Sequence, residues 1–387
     1  MGKQQCVGID VGAKSLAVGR RDSKGRVRVR EIPNTQAGHK ALYASLADGT
    51  VKVCLEATGI YHLDVALALK SMANVDVMVA NPRAVHNFAG ALMTRGKTDA
   101  SDAEVLVQFA ERMPWQSWHA PSGACFELRT LCRHTVSLRK QLTAEKTRLA
   151  RAQATESISS WVHDDIAQGI GQLVARIDKL QAAALELIAT DARLKRQFSL
   201  LCTIPGIAAT SGVQLLSELC VLPSDMSARQ WVAHAGLDPR RHESGTSVNK
   251  PPRITKAGNS YVRRALYMPA LVAVRNDPHI AGFYEQLVGR GKKKLQALVA
   301  VMRKLLHGIW GMLRSDAAWD GSRFYQGPLP AQASPTDGAV PEHNGPHIVH
   351  APGVGKTSQT AKQLTKNYTE KPKLVRRGLG PRPIDVC

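Results

Sequence analysis

The chain reads as an α/β unit followed by all-α units: a mixed sheet with flanking helices, a long helical segment, then a mostly helical unit. Three observations predict this order. Residues 5–113 alternate short apolar runs with helical patterns. Residues 123–198 contain no proline and keep leucines three to four apart. Residues 200–325 return to shorter helical stretches around a Gly-, Pro- and Arg-rich middle.

The first unit justifies itself element by element. Cys6-Val7-Gly8-Ile9 is a short apolar strand ending on Asp10, and Gly12 and Lys14 lie in a turn before a second strand at Ser15–Arg20. Asp22-Ser23-Lys24-Gly25 is a hairpin turn. Arg26–Ile32 alternates basic and apolar residues, as a half-exposed strand should. A helix over 36–48, a buried strand at Val51–Glu56, a helix near 61–73 and an apolar strand at Val75–Ala80 come next. Pro82 stands where a helix can begin, and Ala100–Arg112 is a further helix with Asp99 at its start. In the second unit, Leu128, Leu131, Thr135, Leu138 and Leu142, then Leu173, Ile177, Leu180, Ala184 and Leu187, spell a helical hairpin or coiled coil. In the third, 237–259 reads as a loop before the helix Tyr261–Val274. The expected borders are 1–118, 119–199, 200–325 and a disordered basic tail, 326–387. Residues 328–387 hold 9 of the 20 prolines and few large apolar residues.

Composition narrows the partners. Fifty-two Lys+Arg against 31 Asp+Glu give a net charge of +21, which attracts a polyanion. The tail carries only a small part of that excess. No apolar run reaches the ~18 residues a membrane span needs, and the start lacks a signal-peptide pattern. Nucleic acid is therefore the leading partner, and no membrane is expected. The seven cysteines, an odd and scattered number without a C-x-x-C pair, fit neither a disulfide framework nor a zinc site and suit a reducing cytoplasm. Gly353-Val354-Gly355-Lys356-Thr357 ends like a phosphate-binding loop, but His350 stands where that motif needs its first glycine.

Three constellations carry chemistry. Asp10 and Glu56 end strands, and Asp99 and Asp102 are three apart on one helix face. Strand ends at one edge of such a sheet converge, and four pooled acids need a cation; hard oxygen ligands hold Mg²⁺ (or Mn²⁺), which serves phosphodiester chemistry. Singly, each acid reads as a turn or cap residue. Thr203-Ile204-Pro205-Gly206-Ile207 is either a phosphate-holding turn between helices or a tight turn needing glycine. Gly236 to Ser247, with Arg240, Arg241 and Ser244, then Lys250, Arg253, Lys256, Arg263 and Arg264, is dense enough in cations to contact phosphates. Ser244 among them is a nucleophile or simply a loop residue.

Gly8-Ile9-Asp10-Val11-Gly12, Glu56-Ala57-Thr58-Gly59-Ile60-Tyr61 and Lys97-Thr98-Asp99-Ala100-Ser101-Asp102 closely resemble the N-terminal domain of the insertion-sequence-110 transposases. Ile204-Pro205-Gly206-Ile207, Ala235-Gly236-Leu237-Asp238-Pro239-Arg240, Glu243-Ser244-Gly245 and Ile254-Thr255-Lys256-Ala257-Gly258-Asn259 resemble their C-terminal domain. The resemblance spans roughly residues 5–325. It implies an RNase H-like (RuvC-like) first domain whose Asp10, Glu56, Asp99 and Asp102 bind a divalent metal, and a second domain whose catalytic serine is Ser244. It further implies a DNA recombinase that joins donor and target DNA under a structured non-coding guide (bridge) RNA. The chain would work as a dimer or tetramer with active sites shared between subunits, in the bacterial cytoplasm near the nucleoid. Two other readings compete. An actin-like or sugar-kinase-like ATPase also begins Gly-Ile-Asp-x-Gly but needs a second Asp-x-Gly-Gly-type hairpin, which the sequence lacks. A non-catalytic nucleic-acid-binding protein would have little use for all four acids and the serine.

Overall fold

A computed structural model describes residues 5–47, 49–57, 61–93, 98–155, 157–244 and 248–329, with the backbone alone at 241–244 and 248–252. Residues 330–387 of the expected tail, with the Gly353–Thr357 stretch, lie outside the described residues. The chain divides into two compact units, Met1–Pro121 and Ser122–Cys387.

The first unit runs β1 (Gln5–Val11), β2 (Ser15–Arg21), β3 (Val27–Pro33), α1 (Gln36–Ser45), β4 (Val51–Glu56), α2 (His62–Lys70), β5 (Val75–Ala80), α3 (Pro82–Ala91) and α4 (Asp99–Arg112). Its five strands form one mixed sheet in the order β3-β2-β1-β4-β5. The meander β1-β2-β3 is antiparallel, whereas β4 and β5 join in parallel through helices. Alternation along each strand divides the residues between two cores. Val7, Ile9, Val11, Val53 and Leu55 meet Leu42 of α1 and Val65 and Leu69 of α2 on one face. Cys54, Met78 and Ala80 meet Val85 of α3 and Val105, Leu106 and Phe109 of α4 on the other. The result is a sheet between two helical layers.

The second unit runs α5 (Gly123–Gln153), α6 (Ser160–Thr190), α7 (Ala192–Leu201), α8 (Ala209–Leu219), α9 (Ala228–Ala235), β6 (Pro239–Ser244), β7 (Val248–Ile254), α10 (Ser260–Asn276), α11 (Pro278–Gly289), α12 (Lys294–Ser315) and α13 (Gly321–Phe324). The two 31-residue helices α5 and α6, each about 46 Å long, pack along one another as the leucine spacing required. The roots of these two helices belong to the larger helical body: Cys125, Leu128, Cys132, Ala184 and Ile188 share one core with α7 to α12.

The stretch 237–259 is not the loop expected from its composition but holds an antiparallel β6–β7 hairpin with a register shift between Arg240 and His242. Both strands are edges of a two-stranded ribbon. Pro239, Pro251 and Pro252 are therefore tolerated where a central strand would reject them, and the apolar alternation that marks a packed strand is missing. Among the described residues no helix is long and apolar enough to cross a membrane, and Cys6, Cys54, Cys125, Cys132, Cys202 and Cys220 are free thiols.

Candidate active site

Backbone register brings the acids of the first unit together. Ile9 of β1 faces Leu55 of β4, so one step further Asp10 and Glu56 stand side by side at the ends of adjacent parallel strands. Both belong to the sheet face that carries Gly8 and Cys54, the face α4 covers. Gly8 and its cross-strand partner Gly19 make that covering possible. A Cβ on Gly8 would come within 2.5 Å of the Ala103 carbonyl oxygen and the Val107 nitrogen, so α4 lies directly on the β1 backbone. The turn of α4 preceding Ala103 holds Asp99 and Asp102. That turn is fixed by a capping box: Thr98 accepts from the Ser101 N–H at 3.1 Å, and Ser101 Oγ accepts from the Thr98 N–H at 2.9 Å.

Asp10, Glu56 and Asp102 are half-buried and Asp99 is exposed. Asp10 feels all three of the others. Burial, then the charges of Asp102, Asp99 and Glu56, push its carboxyl up to about 6, against one backbone hydrogen bond from Val11 that lowers it. Among the described residues no three His, Cys, Asp or Glu side chains stand in a ready-made coordination set. The donor chemistry nonetheless suits a divalent cation: Asp10 and Glu56 end adjacent strands, and the first turn of α4 carries Asp99 and Asp102 near enough for their charges to act on Asp10.

The second unit presents Ser244 at the end of β6, paired across the ribbon with Val248 of β7. The root of this hairpin is firmly tied. Gly236 ends α9 in the left-handed region at φ 64°, and its carbonyl accepts from Lys256 N–H at 3.1 Å. Thr255 donates to Asp238 through its backbone (2.9 Å) and its hydroxyl (2.6 Å). Gly258 lies against the His234 carbonyl, where a Cβ would approach to 2.2 Å. Behind the root is buried Glu218, only 2% exposed. It accepts a two-pronged bond from Arg133 of α5 at 2.7 and 2.9 Å, and another from the Asn259 amide at 2.6 Å. Asn259 in turn caps α10 by accepting from Tyr261 and Val262.

The cations singled out in the sequence divide by environment. Arg240, Arg253, Lys256 and Arg264 are exposed, and Arg264 lies over the Tyr261 ring at 5.7 Å. Arg263 is partly engaged in structure, donating to the Ala235 carbonyl at 2.7 Å. Arg241 and Lys250 sit on the two ribbon strands. The turn at Thr203–Ile207 is a packed helix connection: Ile204 and Ile207 are buried, and Gly206, at φ 91°, presses on the Pro269 carbonyl of α10. Sequence reasoning missed the Gly8–Gly19 pair and the Arg133–Glu218 bond. A glycine pair in mid-strand was the available signal for the first. Nothing local marks the second, whose partners are 85 residues apart.

Two family models match the chain, the first reaching past the border between the units to the end of α5. Residues 7–153 match a family model described as a transposase, and residues 198–285 match the model of the IS116/IS110/IS902 transposase family. The chain is 31% identical to the pilin gene-inverting protein of Moraxella bovis over 272 residues, covering 70% of this chain and 82% of that one. The counterpart from Moraxella lacunata matches to the same extent. An uncharacterized 42 kDa protein of insertion element IS900, from Mycobacterium paratuberculosis, is 25% identical over 81% of this chain and 96% of its own length.

Proposed function

The chain belongs to the IS110 family of transposases, enzymes that act on DNA strands, and from that premise we propose that it cuts and rejoins DNA with a cation-holding acidic site and a serine nucleophile. The sheet order β3-β2-β1-β4-β5, with acids at adjacent strand ends and on the covering helix, is what an RNase H-like unit requires. The observation that carries the reading is the strand register that sets Asp10 beside Glu56, under the helix α4 whose first turn holds Asp99 and Asp102. Such an arrangement costs stability and is retained where a cation offsets it.

Asp10, Glu56, Asp99 and Asp102 would hold Mg²⁺ or Mn²⁺. The bound ion supplies charge neutralisation at a phosphate under attack. Ser244, at the tip of a ribbon whose root is fixed by Glu218, Asn259 and Asp238, supplies the hydroxyl. Its Oγ forms a bond to phosphorus as one phosphorus–oxygen ester bond to the adjoining sugar breaks. The hydroxyl proton passes to a base, and the departing sugar oxygen gains a proton. Attack by the sugar hydroxyl of another strand then rebuilds a diester and frees the serine. Exposed Arg240, Arg253, Lys256 and Arg264 grip backbone phosphates of DNA and of a guide RNA, leaving sequence choice to base pairing. A homo-oligomer, a dimer or tetramer, is the working form in this reading.

The acidic site is tested with Mn²⁺ alone, followed by loss of the free-ion electron paramagnetic resonance signal, beside plasmid nicking. The wild-type chain should bind the ion, and Asp10→Asn with Glu56→Gln should abolish both binding and nicking. Equal Mn²⁺ binding by that double variant would remove the acids from the account.

A further inference from the structure

Helix α12 turns one stripe of its surface, Lys304, His307, Gly308, Gly311, Met312 and Ser315, toward a cavity of about 400 Å³. The opposite wall is the segment 317–324, with Trp319 and Arg323. The volume falls within the ~300–1,000 Å³ of ordinary ligand pockets.

Trp319 is held as a fixed wall. Its indole N–H donates to Asp277 at 2.8 Å, and its backbone N–H donates to the Thr203 hydroxyl at 2.9 Å. Its ring packs on Gly308, where a Cβ would come within 2.9 Å. Gly308 thus has a packing reason. Gly311 has none: a Cβ there would meet nothing within 4 Å. Glycine weakens a helix interior, so its effect at 311 is to leave the cavity floor bare. The lining sets two cations, Lys304 and Arg323, against one carboxylate, Asp320. Lys304 lies over Phe283 at 4.3 Å and Phe324 at 4.9 Å, and burial lowers its pKa. His307 is lowered by burial and by Arg303 and Arg229. Arg323 makes an exposed contact with Asp320, at 3.3 Å.

A floor left bare at Gly311, a fixed aromatic wall and two cations against one carboxylate suit a planar ring attached to an anion. We propose that this cavity takes one unpaired nucleotide of a nucleic-acid strand, its base beside Trp319 and its phosphate toward Lys304 and Arg323. The proposal rests on the reading that the chain binds nucleic acid, and on no part of the cleavage chemistry. A duplex, with its bases stacked inward, has no such group to offer.

The test uses the full chain and fluorescence anisotropy with labelled dT10, rU10 and a ten-base-pair duplex. Gly311→Leu puts a branched side chain on the cavity floor, where its Cβ meets nothing within 4 Å, and should weaken both single strands about tenfold, while duplex affinity stays within about twofold. Arg323→Ala should act in the same direction. Equal losses on single strands and duplex, or none on single strands, would overturn the proposal. An arm without any variant guards against misfolding: 4-thiouridine placed in rU10 should photocross-link within 304–324 of the wild-type chain, and cross-links confined to other segments count against it. Every readout is binding, so failure of the Ser244 or acidic-site assignments leaves this result standing, and the reverse.

Discussion

Replacing Asp10 with asparagine should stabilise the first unit at neutral pH. An acid whose folded-state pKa lies above its unfolded value binds extra protons in the folded chain between the two values. Its contribution is therefore most favourable below the ordinary 3.8 and is lost as pH rises through about 6. That rise corresponds to about 3 kcal/mol at full strength. Asp10 is only half-buried, and screening reduces the penalty to about 1–1.5 kcal/mol. Asparagine keeps the shape and removes the charge. Hydrogen exchange followed by mass spectrometry on peptides spanning β1 and β2 isolates this unit from the second. At pH 7.5 those amides should exchange about five- to tenfold more slowly in Asp10→Asn than in the wild type. Stability corrected for the intrinsic pH dependence of exchange should converge near pH 4. Added Mg²⁺ should slow the wild type and leave the variant nearly unchanged. Faster exchange in the variant at pH 7.5 would refute the claim that like charges converge on Asp10.

Other substitutions probe the supports of the two sites. Gly8→Ala drives a methyl group into the backbone of α4 and should cost about 2–3 kcal/mol, read as a lowered melting temperature, together with weaker Mn²⁺ binding as Asp102 is displaced. Unchanged values for both would show that α4 does not depend on this contact. Glu218→Ala strands the guanidinium of Arg133 and the amide of Asn259 and should cost about 2–3 kcal/mol in urea unfolding. Burial raises the Glu218 carboxyl, but the bonds from Arg133 and Asn259 outweigh it and leave it below 4.5. Its support is thus present above that value and lost as pH falls further, the reverse of Asp10. A wild-type chain whose advantage over Glu218→Ala grows on acidification would contradict that assignment.

Much of the first unit was legible because its signals are local. Turn residues at Asp22–Gly25, proline at 82 and apolar runs of strand length each name an element without reference to the rest of the chain. The four acids could be grouped because strand ends in a β-α sheet share an edge. The means of their approach was hidden: the role of Gly8 appears only when α4 lies on it. The ribbon bearing Ser244 escaped because its prolines and arginines imitate a loop, and a two-stranded edge needs no apolar face. The turn at Gly206 was legible as a tight helix connection needing glycine: its isoleucines are buried and its glycine serves contact with α10. Glu218 and Arg133 are far apart in the chain, and no periodicity could have joined them.

The central claim is that Ser244 becomes joined to DNA. The direct measurement is mass spectrometry of the protein after incubation with Mg²⁺, a plasmid bearing the ends of the element and RNA transcribed from its flanks, followed by nuclease digestion. A nucleotide on Ser244 in the wild type, absent in Ser244→Ala although that variant still retains the plasmid, is the expected result. An adduct on another residue, or strand joining at the wild-type rate by Ser244→Ala, would contradict it.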